Sequence, residues 1–420
     1  MAPGHLHRSQ HRLKAILYGG LALVVIVCAA GVYLLRYQPG VSAQIADSLR
    51  TVIGDGAVAQ LESTVYQAQD SLMQLSYSWF PARHKSSANL SQAVSLPTSL
   101  SAMTNTEGPP SDFATSTPLT TQLSAMPAAT LQPSLTATPI LPWRLEDLRP
   151  FGEDPEEGCW KPLVEDAQNN PVAIQAFLQP DAERPYAQVR VVAFNLSSVH
   201  LHYLVGRDEP QSEVKGDRPG SIPAEDRQPG VLLAVFNGGF KARHGHFGVM
   251  TGGITWLPPK DGLGTLALYQ DGHLKMGAWG SEVQPEPGQL AWRQNGPLII
   301  QDGKVNPLVE EHNPALWGLT IEEMAPIWRS AIGLSRDGQV FYYAAGPSLT
   351  LPALARGVAA SGVWDAIQLD INNYWVHFDT ISVVDGKLKT QPLFEYMGTD
   401  FCDRYLYPYT RDYFYVTLNP

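Results

Sequence analysis

The stretch Trp364-Asp365-Ala366-Ile367-Gln368-Leu369-Asp370-Ile371-Asn372-Asn373-Tyr374-Trp375 decides how the rest of the chain is interpreted. Its apolar first half predicts a buried strand that delivers one carboxylate, Asp370, to the strand end. Burying a carboxylate without a partner is costly, so its position there needs a reason. Loops at strand ends are also common places for binding and catalytic residues. Asp370 is therefore our first candidate for a catalytic residue.

Short strand-like runs and turn signals recur from residue 143 to the end of the chain. Two helices are expected: 321–327, and Leu351–Ala360 with Thr350 as N-cap. This pattern predicts an α+β fold, a single globular domain of many short strands in mixed sheets with few helices. Asp-Gly pairs, which favour hairpin turns, stand at 271–272, 302–303, 337–338 and 385–386, and strands are predicted at 187–194, 199–205, 231–236, 264–269, 297–301, 331–334, 340–345, 366–369 and 413–418.

The chain before this domain begins with a candidate membrane anchor. Residues 15–35 form an apolar run without a charge, long enough to cross a bilayer as a helix. Arg8, Arg12 and Lys14 precede the run, which places a cytoplasmic tail at 1–14 and the bulk of the protein outside the cytoplasm. A cleaved signal peptide is the alternative. We expect a single-pass protein of the cell membrane.

Two further segments separate this anchor from the domain at 143–420. Residues 36–85 are predicted to be a juxtamembrane amphipathic helical region. Residues 86–142 are rich in Ser, Thr and Pro and are predicted to be a disordered linker. The helical stripe at 58–75 would serve self-association, or pack on a neighbouring helix or the membrane surface; its members are Val58, Leu61, Val65, Ala68, Leu72 and Leu75.

Charge and cysteine content exclude several classes of protein. The net charge of −11, without a basic block, argues against nucleic acid as a partner. Three cysteines, Cys28, Cys159 and Cys402, are too few for a disulfide-dense scaffold or a Cys-only zinc site. Outside the cytoplasm, Cys159 and Cys402 can form a disulfide. Two unpaired buried thiols are the alternative.

Four stretches carry residues suited to binding or catalysis. The pair Gly238-Gly239 follows Asn237 at a strand end, where glycines permit positive φ and bring backbone N–H groups close to a ligand. A plain hairpin turn is the alternative. The other stretches contain the pair Gly252-Gly253, Asn295 before a strand, and Arg329 at the head of a strand, whose guanidinium suits phosphate or carboxylate unless it forms a structural pair with an Asp.

Signals for a metal are weak in this sequence. His244 and His246 share a loop, but no third ligand is visible at helical spacing. The oxygens of Asp370, Asn372 and Asn373 suit calcium, yet the later bidentate Glu of a helix-loop-helix calcium site is lacking. We expect no cofactor and keep calcium as an alternative.

Taken in order, these stretches resemble the phosphodiester glycosidase family. The resemblance covers about 236–376: an Asn-Gly-Gly-Phe strand end, a Gly-Gly loop, Gly-Pro-x-Leu-Ile, Arg-x-Ala-Ile-Gly with a following Asp-Gly, and Ala-x-x-Leu-Asp. It implies hydrolysis of a glycosyl phosphodiester of a surface glycan or glycolipid. Asp370 and Arg329 are then catalytic, and the substrate-binding residues are Asn237, Gly238, Gly239, Gly252, Gly253, Asn295, Asn372 and Asn373.

The chain departs from the family after Asp370. The family has Leu-Asp-Gly-Gly-Gly-Ser, whereas this chain has Leu369-Asp370-Ile371-Asn372-Asn373-Tyr374. Asn tolerates a left-handed backbone, but the β-branched Ile371 does not. Two interpretations stay open: an enzyme with an altered pocket, or a catalytically inactive glycan- or sugar-phosphate-binding module. A second catalytic carboxyl is not identified, although Asp365 and Asp379 are near in sequence.

Overall fold

A computed structural model describes residues 39–79, 93–95, 143–311, 313–317, 324–395, 397 and 403–419. The candidate anchor at 15–35 and most of the predicted linker lie outside these ranges. Among the helices within them, none is long and apolar enough to cross a membrane. The described part of the chain is dominated by three β-sheets with few helices, as the sequence predicts.

The largest sheet has nine strands and carries Asp370. Its neighbouring strands are antiparallel except for the parallel pair at one edge. In spatial order its strands are β1 (Val94–Ser95), β2 (Lys161–Glu165), β3 (Pro171–Leu178), β4 (Val189–Asn195), β15 (Val340–Leu349), β14 (Ile327–Leu334), β16 (Asp365–Ile371), β12 (Leu298–Gln301) and β13 (Lys304–Val305).

Two five-stranded antiparallel sheets complete the β structure. The first contains β10 (Leu274–Ala278), β9 (Gly264–Tyr269), β11 (Gln289–Gln294), β7 (Val249–Thr251) and β8 (Ile254–Leu257), in that spatial order. The second contains β18 (Lys387–Pro392), β17 (Phe378–Val384), β6 (Leu232–Asn237), β19 (Tyr413–Leu418) and β5 (Val199–Leu204).

Strand alternation builds a core on each face of the nine-stranded sheet. Along β4, Val192 and Phe194 point into the cluster shared with the two smaller sheets. Val189, Val191 and Ala193 point into the opposite cluster, which is covered by the helix Leu351–Ala360. Successive side chains of a strand point to opposite faces, so one strand serves both clusters. The smaller sheets therefore lie on one face of the large sheet, and the helix on the other.

Two N-terminal helices form a hairpin that contacts the domain. Helix α1 (Pro39–Ile53) and helix α2 (Asp55–Trp79) pack on each other, with Arg50 and Glu62 paired at 2.5 Å. The helix predicted in this region is therefore confirmed. Apart from Val58, the apolar stripe of α2 faces outward, whereas Tyr66 and Asp70 are buried on the side toward the domain.

Most predicted elements are confirmed. Strands β9 and β19 and the third helix, α3 (Leu351–Ala360), have the predicted bounds. The Thr350 side chain accepts a hydrogen bond from Ala353 N at 3.2 Å, as an N-cap should. Each of the four Asp-Gly pairs lies in a hairpin turn between two paired strands.

Two predictions about local structure were wrong where the chain is described. The described part of the helix predicted at 321–327 is not helical, because Ile327 begins β14 and pairs with Leu349 after Pro326. Val94–Ser95 lie within the predicted disordered linker but pair with Val164 and Glu165, and Val94 is buried. The rest of both segments lies largely outside the described residues.

Candidate active site

Asp370 lies on a β-bulge at the end of β16. Arg329 of β14 stands opposite Ile371, and Ala331 opposite Gln368, so that Leu369 and Asp370 together face one residue of β14. That residue is Ser330, whose hydroxyl donates to the Asp370 carbonyl at 2.8 Å. Bulges re-aim side chains and are common beside active sites. The bulge aims the Asp370 side chain toward the two smaller sheets.

Asp370 forms a buried ion pair with Arg411, the residue two positions before β19. Arg411 Nη2 lies 2.5 Å from Asp370 Oδ2, and both side chains are less than a tenth exposed. Burial raises the pKa of Asp370 to about 6, although Arg411 acts to lower that pKa. Asp370 thus changes charge in the pH range where a catalytic carboxyl works.

Asp412, the neighbour of Arg411, holds the Asn-Gly-Gly turn in place. Its Oδ2 atom accepts from Arg293 Nε at 2.9 Å, from the Tyr203 hydroxyl at 2.9 Å and from Gly239 N at 3.3 Å. Its carbonyl accepts from Gly238 N at 3.1 Å. The negative charge of Asp412 also raises the pKa of Asp370. Asp412 is thus the second carboxylate near Asp370.

Close approach explains both glycines of this turn. A Cβ on Gly238 would lie 2.4 Å from Asp412 Oδ2, and one on Gly239 would lie 2.6 Å from Arg293 Nη2. Neither glycine has a positive φ, contrary to our expectation. Their N–H groups bind Asp412 instead of pointing to open space. The turn thus packs closely against the buried ion pair of Asp412 and Arg293.

Two asparagines tie this turn to the Asp370 strand. Asn237 Nδ2 donates to the Ser330 hydroxyl at 3.0 Å, and Asp370 N donates to Gly238 O at 3.2 Å. Asn295 Oδ1 accepts from Phe240 N at 3.2 Å, and its Nδ2 donates to Gln368 O. The structure thus brings Asn237, Gly238, Gly239 and Asn295 together around Asp370. The site lies where the three sheets meet.

Further cations surround this centre. The Trp375 ring has Arg411 at 4.4 Å and the ammonium of Lys241 at 4.6 Å from its centroid. The pKa of His244 is lowered to about 2, chiefly by burial. The positive charges of four residues lower it further: Arg243, Arg411, Arg50 and Lys241. His244 is therefore neutral, and Arg243 Nε lies 3.1 Å from His244 Nε2. A cation close to the face of an aromatic ring is a favourable cation–π arrangement. The resulting field favours an anionic ligand.

Arg329 occupies a different place from the one its predicted role suggests. Its Nε donates to Leu349 O at 2.8 Å and its Nη2 to Ala325 O at 3.1 Å, and the residue is 1% exposed. Arg329 directly precedes Ser330 along β14, so its side chain points to the opposite face of the sheet. The guanidinium that forms an ion pair with Asp370 is that of Arg411. A catalytic role for Arg329 stays a prediction.

The second glycine pair lies in the exposed turn between β7 and β8. Gly252 and Gly253 have φ of +56° and +78°, and nothing lies within 4 Å of a Cβ built on either. This geometry fits a two-residue hairpin turn that needs positive φ at both positions. The turn by itself explains the two glycines, and their substrate-binding role stays a prediction.

The loop after Asp370 keeps the left-handed residue that we expected, at one of two positions. Asn372 has φ +83°, and its Oδ1 accepts from Tyr374 N at 3.2 Å. Ile371 remains in the strand, so its β-branched side chain causes no strain there. Asn373 follows as a half-buried residue of the same loop, without a positive φ.

The two carboxyls that we noted near Asp370 in sequence lie in other surroundings. Asp365 is five residues away at the start of β16, about 17 Å along an extended strand, and its Oδ1 accepts from Asp302 N at 3.2 Å. Asp379 is fully buried, and its Oδ2 lies 2.6 Å from His377 Nε2. Burial raises the pKa of Asp379, although His377 lowers it.

Two further predictions concern a metal ion and a disulfide. Within the described ranges, no group of three or more His, Cys, Asp or Glu side chains is placed to hold a metal ion. Cys159 is half-buried, and its sulfur lies 3.6 Å from Pro155 O. Cys402 and Cys28 lie outside the described residues, so the disulfide stays a prediction.

Sequence reasoning missed Arg411, Asp412, Arg293 and Lys241. A signal for the first two was present, because an adjacent Arg and Asp directly precede the strong strand signal of β19. The rule that singled out Asp370, a charge at the end of a buried strand, applies equally to them. Arg293 lies inside β11, and nothing in its local pattern marks it.

Comparison with known proteins confirms the family resemblance over residues 230–370, which match the phosphodiester glycosidase family model. No curated protein matches the chain. Similar solved structures include the catalytic domain of zebrafish N-acetylglucosamine-1-phosphodiester alpha-N-acetylglucosaminidase, auto-inhibited by its pro-peptide. That similarity has 14% identity and a TM-score of 0.37, and covers 60% of this chain and 85% of that structure.

Two bacterial structures are also similar. A hypothetical protein from Synechocystis has 13% identity and a TM-score of 0.31, covering 59% of this chain and 62% of its own. A putative exported protein from Burkholderia pseudomallei has 13% identity and a TM-score of 0.26, covering 56% and 74%. Scores below 0.5 do not establish a shared overall fold.

Proposed function

We propose that this chain, with its phosphodiester glycosidase domain at 230–370, hydrolyses a glycosyl phosphodiester at Asp370. The observation that carries the proposal is the buried contact of Asp370 with Arg411, among further cations. A phosphodiester bears one negative charge, and the glycosidic carbon develops positive charge as its bond to oxygen breaks. The cations of the site can bind the negative phosphodiester, and the Asp370 carboxylate can stabilise the positive charge on the glycosidic carbon.

Each charged group has a distinct part in this proposal. Lys241 and Arg243 have partly exposed side chains and are suited to contact the phosphate. Arg411 is buried and orients the Asp370 carboxylate. The ionised Asp370 stabilises or attacks the anomeric carbon. A phosphate leaving group needs little protonation, which agrees with Asp412 being engaged with Arg293 instead of acting as an acid.

The test is release of reducing sugar from a panel of glycosyl-1-phosphodiesters by the purified full chain. We expect turnover of at least one substrate by the wild type and loss of turnover in Asp370→Asn. Saturable sugar-phosphate binding without cleavage, measured by isothermal titration, would favour the inactive binding module. The departure from the family at Ile371 to Trp375 is the feature that motivates that alternative.

Membrane anchoring and the surface-glycan substrate are part of the same proposal. The charge-free run at 15–35 and the basic residues before it support an anchor with the domain outside the cytoplasm. A glycan or glycolipid of the cell surface is then the substrate within reach. Protease digestion of intact cells tests the orientation, because an extracytoplasmic domain is degraded without lysis.

A second copy of the chain is the partner that we propose for the outward stripe of α2. Leu61, Leu72 and Leu75 are each more than half exposed. Their alternating spacing of three and four residues favours pairing with another helix. The positions beside the stripe carry a single charge, Glu62, which already pairs with Arg50. Two copies would therefore bring few like charges together.

A further inference from the structure

Helix α2 contacts the loop that follows Asp370. The Tyr66 hydroxyl accepts a hydrogen bond from Asn372 Nδ2 at 3.2 Å. The Tyr66 ring is buried in a cluster with Ile371 of this loop, Phe240 of the Asn-Gly-Gly turn and Ile327 of β14. One residue of the N-terminal hairpin thus contacts both segments that bracket the proposed catalytic centre.

The segment that Tyr66 contacts also helps to position the Asp370 carboxylate. Asp370 Oδ1 accepts from Ile371 N at 2.9 Å. The next residue, Asn372, holds φ +83° and donates its own N–H to Trp328 O at 2.9 Å. A left-handed non-glycine residue is costly unless its surroundings hold it. The hydrogen bond to Tyr66 supplies part of that support.

A second, separate contact anchors the hairpin. Asp70, one turn beyond Tyr66, receives Arg184 Nη2 at 2.8 Å and Arg184 Nε at 3.0 Å, and the Tyr186 hydroxyl at 2.7 Å. Bidentate Arg–carboxylate pairs have a specific geometry. Asp70 and Tyr66 lie on the same side of α2, opposite its apolar stripe. This specific contact fixes the hairpin to the domain.

The contact with Tyr66 depends on the side chains of Ile371 and Asn372. A glycine has no side chain with which to pack on Tyr66 or to donate to its hydroxyl. Ile371, which looked unfavourable for the turn, packs in the same cluster as Tyr66 of the chain's own helix, and Asn372 donates to the Tyr66 hydroxyl.

We propose that the hairpin of α1 and α2 is an integral part of the site, and that Tyr66 is a positioning residue for the Asp370 loop. This inference rests on the proposed function for its kinetic test. Tyr66 acts through Ile371 and Asn372 and does not itself touch the substrate. The hairpin therefore helps, by tertiary contact, to hold the loop beside the carboxylate.

The experiment compares Tyr66→Ala and Tyr66→Phe in the full chain with Gln67→Ala, a matched control at an exposed position of the same helix outside the apolar stripe. We expect Tyr66→Ala to lower kcat at least tenfold with KM changed less than threefold. Tyr66→Phe keeps the ring, loses the acceptor and should show a smaller loss. A raised kcat in Tyr66→Ala would mean that the helix obstructs the site, and an unchanged kcat would mean that it has no role; either overturns the inference.

Hydrogen exchange separates this inference from the proposed function. Amides of residues 371–375 should exchange at least tenfold faster in Tyr66→Ala than in Gln67→Ala, with the exchange of β4 unchanged. If the wild type cleaves no glycosyl phosphodiester, the proposed function fails, while this measurement still decides the positioning role. Equal exchange in the two variants would overturn it. The unchanged exchange of β4 shows that Tyr66→Ala still folds.

Discussion

Arg411 Nη2 lies 2.5 Å from Asp370 Oδ2; Asp370 belongs to the nine-stranded sheet, and Arg411 lies two residues before β19 of a five-stranded sheet. Arg411 also donates to Gly239 O at 2.8 Å, so one guanidinium joins the candidate carboxylate to the Asn-Gly-Gly turn. The pair is nearly excluded from water, where removing one partner leaves an uncompensated charge. The predictions below follow from this relationship and its surroundings.

The pH dependence of activity should reflect Asp370. Its pKa is raised from 3.8 to about 6, chiefly by burial, so the folded protein binds this proton more tightly than the unfolded chain does. If the ionised form is the active one, kcat/KM falls as the pH drops through about 6. Ionisation of the same group opposes folding, and this destabilisation develops between about pH 4 and pH 6. Arg411→Gln removes the charge that lowers this pKa, so its acid limb should move to higher pH; a limb that stays in place contradicts the assignment.

Asp370→Asn should lower kcat about 10²- to 10⁴-fold, the usual range for loss of a catalytic carboxyl. Asp365→Asn is the matched control, because Asp365 lies on the same strand and burial also raises its pKa to about 6. Asp365 is at the far end of β16, so its variant should retain near-wild-type kcat. Steady-state kinetics with both variants checks this. Equal losses would show that the effect concerns the strand and not the site.

Arg329→Met and Arg411→Met should differ in what they change. Arg329 donates to two buried backbone carbonyls, and losing such a partner costs roughly 1–3 kcal/mol. Its variant should therefore have a lower Tm, whereas Arg411→Met should also lose activity per folded molecule. Thermal melting and kinetics on the same samples separate the two effects. An Arg329→Met protein with normal Tm and a raised KM would instead support direct substrate contact by Arg329.

Gly239→Ala should destabilise the protein and disturb the site. Its Cβ would lie 2.6 Å from Arg293 Nη2, an overlap that costs about 1–3 kcal/mol. Gly252→Ala meets open space, and its φ of +56° costs about 1–2 kcal/mol of backbone strain. We expect kcat/KM to fall only in Gly239→Ala. A raised KM in Gly252→Ala would instead support the predicted substrate contact of the second glycine pair.

Leu72→Glu should weaken self-association, because it places a charge in the centre of the outward stripe of α2. Gln67→Glu adds the same charge at an exposed position outside the stripe and should leave association unchanged. Light scattering of the full chain in detergent measures the mass of each variant. A monomeric wild type would refute pairing through α2.

Local patterns were sufficient for most of the fold. Strand alternation, the Asp-Gly turns and the Thr350 cap depend on residues close together in sequence, and they located β9, β19 and α3. The motif order also identified the family whose model residues 230–370 match. The predicted end of the 321–327 helix was wrong because the pairing of Ile327 with Leu349 outweighs local helix preference.

The sequence by itself determined that Asp370 lies near the end of a buried strand, and the family resemblance predicted that the Asn-Gly-Gly turn lies near it. Only the tertiary structure decided that Arg411 pairs with Asp370, that Asp412 and Arg293 hold the turn, and that Tyr66 supports the loop. These contacts join residues from different sheets and from a helix some 300 positions away along the chain. A local pattern reports which face of an element is buried, but the partner on that face depends on how the whole chain packs.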